Sequence, residues 1–392
     1  MAVSKTVGPN ETAHVVIIGG GVIGLTIARA LAQRGVRELM LIERGRPGAE
    51  ASWAAGGILA PQVEADHQDD FFRLACASRD LYPGFAESLK EETGVDVELD
   101  TTGTLCLGFT EKDEAELRRR YEWQQGESLE VEWLHGDEAR HLEPCVSTEI
   151  RCALRFPRDF QIENRRLISA LVRANEELGN QLVNGSSVNA LRIKNGRVCG
   201  VETSNGFVDT PVVVVAAGAW ASLIKSPDAK LPAINIEPVR GQMLCFEPHT
   251  QIARHVMYSS RGYLVPRRDG RVLAGSTAEH VGFERSVTDE GVDAIKSMAL
   301  EIAPGIAALP VIDSWAGFRP RAPDGLPVLG SCEGIEGLFY ATGHYRNGIL
   351  LAPITGKVIA DAIVDGVVWA GLNAFSPDRF RELKESLADD AV

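Results

Sequence analysis

Residues His14 to Arg44 read HVVIIGGGVIGLTIARALAQRGVRELMLIER, and no other stretch limits the fold so tightly. An apolar run ends in a glycine turn, an amphipathic helical pattern follows, and a second apolar run stops at Glu43. Parallel strands need a crossover of this kind, so the segment predicts a βαβ unit and a parallel sheet. Gly19-x-Gly21-x-x-Gly24 has the dinucleotide spacing. The first glycine permits the tight turn, the second lets a pyrophosphate approach the backbone, and the third lets helix and strand pack closely. Val22 and Ile23 open the helix, whose N-terminal N–H groups face the phosphate charge. Glu43 follows about 20 residues after the last glycine, where a carboxylate accepts from ribose hydroxyls. Its charge argues against NADP. A chance glycine turn is the alternative, disfavoured by the joint presence of both strands, the helix and Glu43.

The chain then departs from a nicotinamide-binding pattern. ASWAAGGILAPQVEAD (51–66) carries no second crossover signal. Small residues there let a bulky planar ring approach the backbone, which favours a flavin. A flexible loop is the alternative, although Trp53, Ile58 and Leu59 suit an exposed loop poorly. Helices are expected at 66–92, 111–125 and 165–179, and strand-like alternation at 94–110. Asn195-Gly196 and Arg268–Arg271 mark hairpins. PVVVVAAG reads as a buried strand ending at Gly218, and 231–314 favours strands. Residues 337–366 read as strand, glycine-bearing loop and helix, while 1–13 are polar and expected to fray.

With 392 residues, the chain suits two domains. The expected class is α/β: a discontinuous Rossmann-like FAD-binding domain from 13–82, 150–230 and 315–375. An α+β substrate domain with a large antiparallel sheet would come from 83–149 and 231–314, leaving 376–392 as a tail. The formal net charge of −14 argues against a nucleic-acid or anionic-membrane partner. No run of about 18 apolar residues suggests a spanning helix. The seven cysteines include no C-x-x-C pair, so neither a metal site nor a disulfide framework is expected. With no signal-like N-terminus, these features predict a cytoplasmic protein.

Near the C-terminus, WAGFRPRAPDG (315–325) places two arginines among Trp, Phe and Pro. Burying a guanidinium is costly unless an anion meets it, so Arg319 or Arg321 awaits one. GHYRNGILLAPITG then brings a glycine-bearing loop to a helix start, where the dipole favours negative charge.

The fingerprint, SWAAGGI, VVVVAAGAWA, GYLVPR, WAGFRPRAPDGLPVLG and GHYRNGILLAPITG occur in that order. Together they resemble the D-amino-acid-oxidase-like family of FAD-dependent oxidoreductases, over about residues 14–375. The resemblance implies noncovalent FAD, extended in the Rossmann-like domain. Gly56, Gly57 and Ile58 would approach the isoalloxazine, and Ala51 and Ser52 would line the phosphate and flavin path. Val188 would pack by the adenine, and Arg44 and Gly218 join the implied contacts. His344, Tyr345, Arg346, Asn347, Gly348, Ile349 and Leu350 would close over the pyrimidine end. The resemblance assigns Arg319 to the substrate carboxylate, with Tyr263 beside it and the Arg346 backbone facing the amine; Arg321 becomes a rim residue. His280 and Glu64 lie in nearby segments, more simply read as structural, and the effect of Arg261 stays open. No acid or base catalyst is expected, since hydride transfer needs none.

The implied reaction is oxidative deamination of glycine, sarcosine, D-alanine or D-proline with oxygen, forming hydrogen peroxide and serving thiazole (thiamine) synthesis. A homo-oligomer is expected. A quinone-linked D-amino-acid dehydrogenase and a non-catalytic FAD-binding protein are the alternatives.

Overall fold

The computed structural model describes residues 8, 10–247, 252–369 and 371–380. Its centre is a six-stranded sheet. Val15–Ile18 lies between Leu39–Glu43 and Val212–Val215, parallel to both. Gln181–Asn184 extends one side and Leu338–Thr342 the other, again in parallel. Val328–Ser331 closes the latter edge antiparallel. Successive strand side chains face opposite ways, so Val15 and Ile17 enter one core while Val16 and Ile18 enter another. Helices Val22–Gln33, Asp70–Thr93, Asn164–Glu177 and Ala352–Val364 pack together around the first core. A four-stranded sheet covers the second. Its hairpin turns at Asn195 (φ 52°) and Gly196 (φ 74°), the left-handed pair that a two-residue turn demands.

The other large layer is an eight-stranded sheet. All its pairings are antiparallel except Val256–Ser259 with Thr104–Gly108. Val311–Arg321 runs at its edge against Glu237–Phe246. Helix Asp289–Ile302 packs on this sheet through Ile295, Met298 and Ile302.

The mixed α/β class is as expected, but several segments differ. Cys152–Phe156 and the whole of Val311–Arg321 belong to the eight-stranded sheet, across the boundaries expected at 150 and 315. The division expected at 82/83 falls inside the continuous helix Asp70–Thr93, which packs against the nucleotide-side helices. Only Thr104–Gly108 of the expected 94–110 strand is formed. Asn10–Thr12, expected to fray, pairs in parallel with Phe207–Asp209. Within 231–314 the helix Asp289–Ile302 interrupts the strands. Residues 1–7, 9 and 381–392, the last being most of the expected tail, lie outside the described residues.

Candidate active site

The glycine turn is built as the spacing requires. Gly19 takes φ 110°, and a Cβ there would lie 2.5 Å from the Ala216 carbonyl oxygen. One on Gly24 would collide with the Gly19 carbonyl, so this glycine serves helix–strand packing. A Cβ on Gly21 would meet only Ser52 Oγ, at 3.4 Å, and would otherwise project into open space. Ser52 Oγ accepts from the Val22 N–H (3.0 Å). Glu43 accepts from the N–H groups of Gly20 (2.7 Å) and Gly45 (2.8 Å), which fixes its carboxylate at the end of its strand.

A cleft of about 370 Å³ starts at this turn. Gly19, Gly21, Val22, Ile23, Glu43, Arg44, Ala51, Ser52, Gly56, Gly57, Ile58, Val188 and Gly218 line it, as do His344, Tyr345, Arg346, Asn347, Gly348 and Ile349. Gly24 and Leu350 stand behind the wall; the Leu350 carbonyl accepts from Ser78 Oγ (2.6 Å). Tyr345 is left-handed (φ 48°), and its N–H donates to the Pro320 carbonyl (2.9 Å). Helix Ala352–Val364 begins after this loop, and no acceptor among the described residues meets the N–H groups of Gly348, Ile349 and Leu350. His344 is buried with Nε2 3.1 Å from Thr355 Oγ1, and burial pushes its pKa down to about 3, leaving a neutral imidazole.

At the far end stands Arg319. Its Nη1 donates to the Thr277 carbonyl (3.0 Å) and its Nη2 to Ser276 Oγ (2.5 Å). Among the described residues it has no carboxylate partner. Its neighbours do: Arg240 is buried against Glu279, and Arg267 lies 3.4 Å from Glu163. Gly241 makes room for Arg319, because a Cβ there would collide with the guanidinium. Arg321, by contrast, is on the rim, 3.6 Å from Glu237. Tyr263 is 8% exposed, and its hydroxyl donates to Ser276 Oγ (3.3 Å) beside Met243. Arg346 pairs with Glu64 (2.8 Å), whose charge raises the guanidinium's pKa.

A second cavity, about 400 Å³, shares Tyr263, Ser276, Arg319 and Arg346 with the cleft and extends past Arg120 and Arg261. Glu64 borders both cavities, whereas His280 borders neither and pairs with Glu237 (2.6 Å). Ser276, Thr277, Tyr258 and Gly241 escaped the sequence reading, as did Arg267, which holds the Gly56 carbonyl at 2.9 Å. Arg267 is the final residue of GYLVPR, and the apolar run before it is the available signal. No cluster of three or more metal-ligating side chains occurs among the described residues.

The family model described as FAD dependent oxidoreductase (DAO) matches residues 14–362. The chain belongs to this family. This FAD-dependent oxidoreductase is 36% identical to the glycine oxidase of Pseudomonas aeruginosa over 350 residues, 89% of this chain and 94% of that one. It is 35% identical over 376 residues to the bifunctional protein ThiO/ThiG of Synechocystis sp., covering 94% of this chain and 54% of that protein. The crystal structure of glycine oxidase from Geobacillus kaustophilus aligns with a TM-score of 0.89 at 34% identity, covering 94% of this chain and 99% of that one.

The cleft fits the family's cofactor. Gly21 leaves a cradle that a side chain would fill, Glu43 sits where ribose hydroxyls need an acceptor, and unpaired N–H groups gather at Gly348–Leu350. These are the groups that would hold an extended FAD at its phosphate, ribose and flavin ends.

Proposed function

We propose that this oxidoreductase oxidises glycine and other small amines or D-amino acids, including sarcosine, D-alanine and D-proline. For glycine, the imine hydrolyses to the 2-oxo acid and ammonia, and oxygen becomes hydrogen peroxide. The observation that carries the reading is Arg319: a partly buried guanidinium at the cleft's end that no carboxylate among the described residues meets. A planar fork of donors suits a substrate carboxylate. The relatives named glycine oxidase support the amine class, and those named ThiO/ThiG support a place in thiamine synthesis.

Bound FAD supplies the acceptor for the hydride leaving Cα. The chain's own residues orient the substrate. Arg319 holds the carboxylate, Tyr263 donates beside it, and the loop at Arg346 faces the amine. The Thr277 carbonyl and Ser276 hydroxyl fix the guanidinium, so catalysis is orientation and electrostatics without an acid or base side chain. The FAD-binding role extends over the cleft-lining residues named above, and the two large sheets mark a nucleotide-binding and a substrate-binding part. A cytoplasmic homo-oligomer completes the proposal; no helix among the described residues is long and apolar enough to cross a membrane.

The test is anaerobic bleaching of the yellow protein with glycine, sarcosine, D-alanine and D-proline, followed by air and a peroxide assay. Bleaching and stoichiometric peroxide are expected. A flavin that none of these amines reduces overturns the reading, and a flavin that bleaches but stays reduced in air until a quinone is added points to a quinone acceptor.

A further inference from the structure

Between strand Val272–Gly275 and helix Asp289–Ile302 the chain makes a long excursion that leaves the eight-stranded sheet. Both roots are tied to adjacent side chains of strand Glu237–Phe246. Arg240 exchanges backbone hydrogen bonds with Glu279 (2.9 Å each), and its Nη1 donates to Ser286 Oγ (3.1 Å). Gln242 donates to Glu279 (2.8 Å) and Thr288 Oγ1 (3.2 Å). The tip reaches the nucleotide side at two separate points. Phe283 stacks on Trp220 with centroids 5.1 Å apart, and Arg285 pairs with Glu50 at 2.7 Å. Arg44 covers Trp220, its guanidinium carbon 3.6 Å from the ring centroid, and pairs with Glu50 (2.9 Å).

Glu50, Arg44 and Trp220 line the dinucleotide cleft, while Phe283 and Arg285 stay outside it. Phe283 remains 43% exposed, and its ring, besides stacking on Trp220, meets Phe318 edge-on with centroids 5.6 Å apart. We propose that the excursion Thr277–Thr288 is a strap that retains noncovalent FAD, fastened at Phe283–Trp220 and Arg285–Glu50. Each fastener holds a cleft-lining side chain, Trp220 or Glu50, from the outside, so each independently resists the outward movement of the lining that release of the dinucleotide requires. The proposal rests on the FAD-dependent family and not on the choice of amine substrate.

The test follows FAD release from diluted holoenzyme as a rise in flavin fluorescence. Phe283→Ala releases FAD about tenfold faster, the range expected for losing its aromatic pairs with Trp220 and Phe318. Arg285→Ala gives a smaller acceleration, and the double variant exceeds either. Arg285→Lys restores most of the lost retention, because the contact uses a single donor. Urea midpoints of the flavin-stripped variants stay near that of the stripped parent. Release rates unchanged in the double variant overturn the proposal. So does an equal fall in the midpoints of stripped and flavin-loaded protein, which would make the loop a general brace.

Discussion

Arg319 differs from Arg240, Arg267 and Arg346 around it in having, among the described residues, only the neutral partners Thr277 and Ser276. Charge-assisted hydrogen bonds contribute about 1.5–3 kcal/mol each, so Arg319→Ala should raise the KM for glycine by about two orders of magnitude or more. The flavin absorbance of that variant should persist. Steady-state kinetics on flavin-replete protein checks this, and an unchanged KM removes Arg319 from the substrate site. Arg319→Lys keeps the charge but loses the fork, and falls between the two. Tyr263→Phe deletes one neutral hydrogen bond of about 0.5–1.5 kcal/mol, so a KM rise of a few-fold is expected. Loss of flavin from Tyr263→Phe would instead mark a structural tyrosine. The ring packs against Tyr258, with centroids 5.4 Å apart, and stays in place in the variant.

At the scale of the element, two glycines of one turn have separable duties. A methyl on Gly24 collides with the Gly19 carbonyl, so Gly24→Ala should destabilise the fold with or without flavin. A methyl on Gly21 meets protein only at Ser52, so Gly21→Ala should leave the urea midpoint of flavin-stripped protein near its parent value and weaken FAD binding. Flavin titration paired with urea unfolding separates these outcomes; equal loss of stability in both variants would contradict the assignment. This turn was legible in sequence because strand, glycines and helix are contiguous and their spacing is set by local sterics. The hairpin at Asn195-Gly196 was legible for the same reason. Strand partners were not. Cys152–Phe156 pairs with Thr104–Gly108 and Glu132–His135, and nothing in its own residues names either neighbour. Ser276 and Thr277 were missed because short polar residues after a strand carry no local signature. Their importance arises only when the edge strand delivers Arg319 beside them. Gly241 was missed similarly, since the collision it avoids comes from a residue far along the chain.

At the scale of the whole molecule, Asp159 links pH to stability. It is fully buried, accepts from the N–H groups of Gln62 (3.2 Å) and Val63 (3.0 Å), and lies 4.0 Å from Arg79. Burial pushes its pKa up to about 7 from an unfolded value of 3.8. The folded chain therefore binds the extra proton between these values, and the associated stability is lost as pH rises from about 4 to about 7. His344 acts in the opposite sense: its folded pKa of about 3 lies below its unfolded 6.5, so stability falls as pH drops through that interval. Comparing the parent with Asp159→Asn cancels the His344 contribution. The parent's stability relative to the variant should decline between about pH 4 and 7 and level off above, read by urea unfolding. A flat difference across that interval would place the Asp159 pKa near its unfolded value.

The central sheet also bears on how the protein is made. Val212–Val215 pairs on one side with Val15–Ile18, near the beginning of the chain, and on the other with Leu338–Thr342. The loop that closes the cleft follows immediately, at His344–Ile349. A ribosome releases these parts in order, so a nascent chain carries its glycine turn long before the closing wall at His344–Ile349 emerges. Flavin capture therefore waits until Leu338–Ile349 has been made. A polypeptide arrested before Leu338 would present the apolar edge of Val212–Val215 without its partner strand, a surface for chaperones or for aggregation rather than for a dinucleotide.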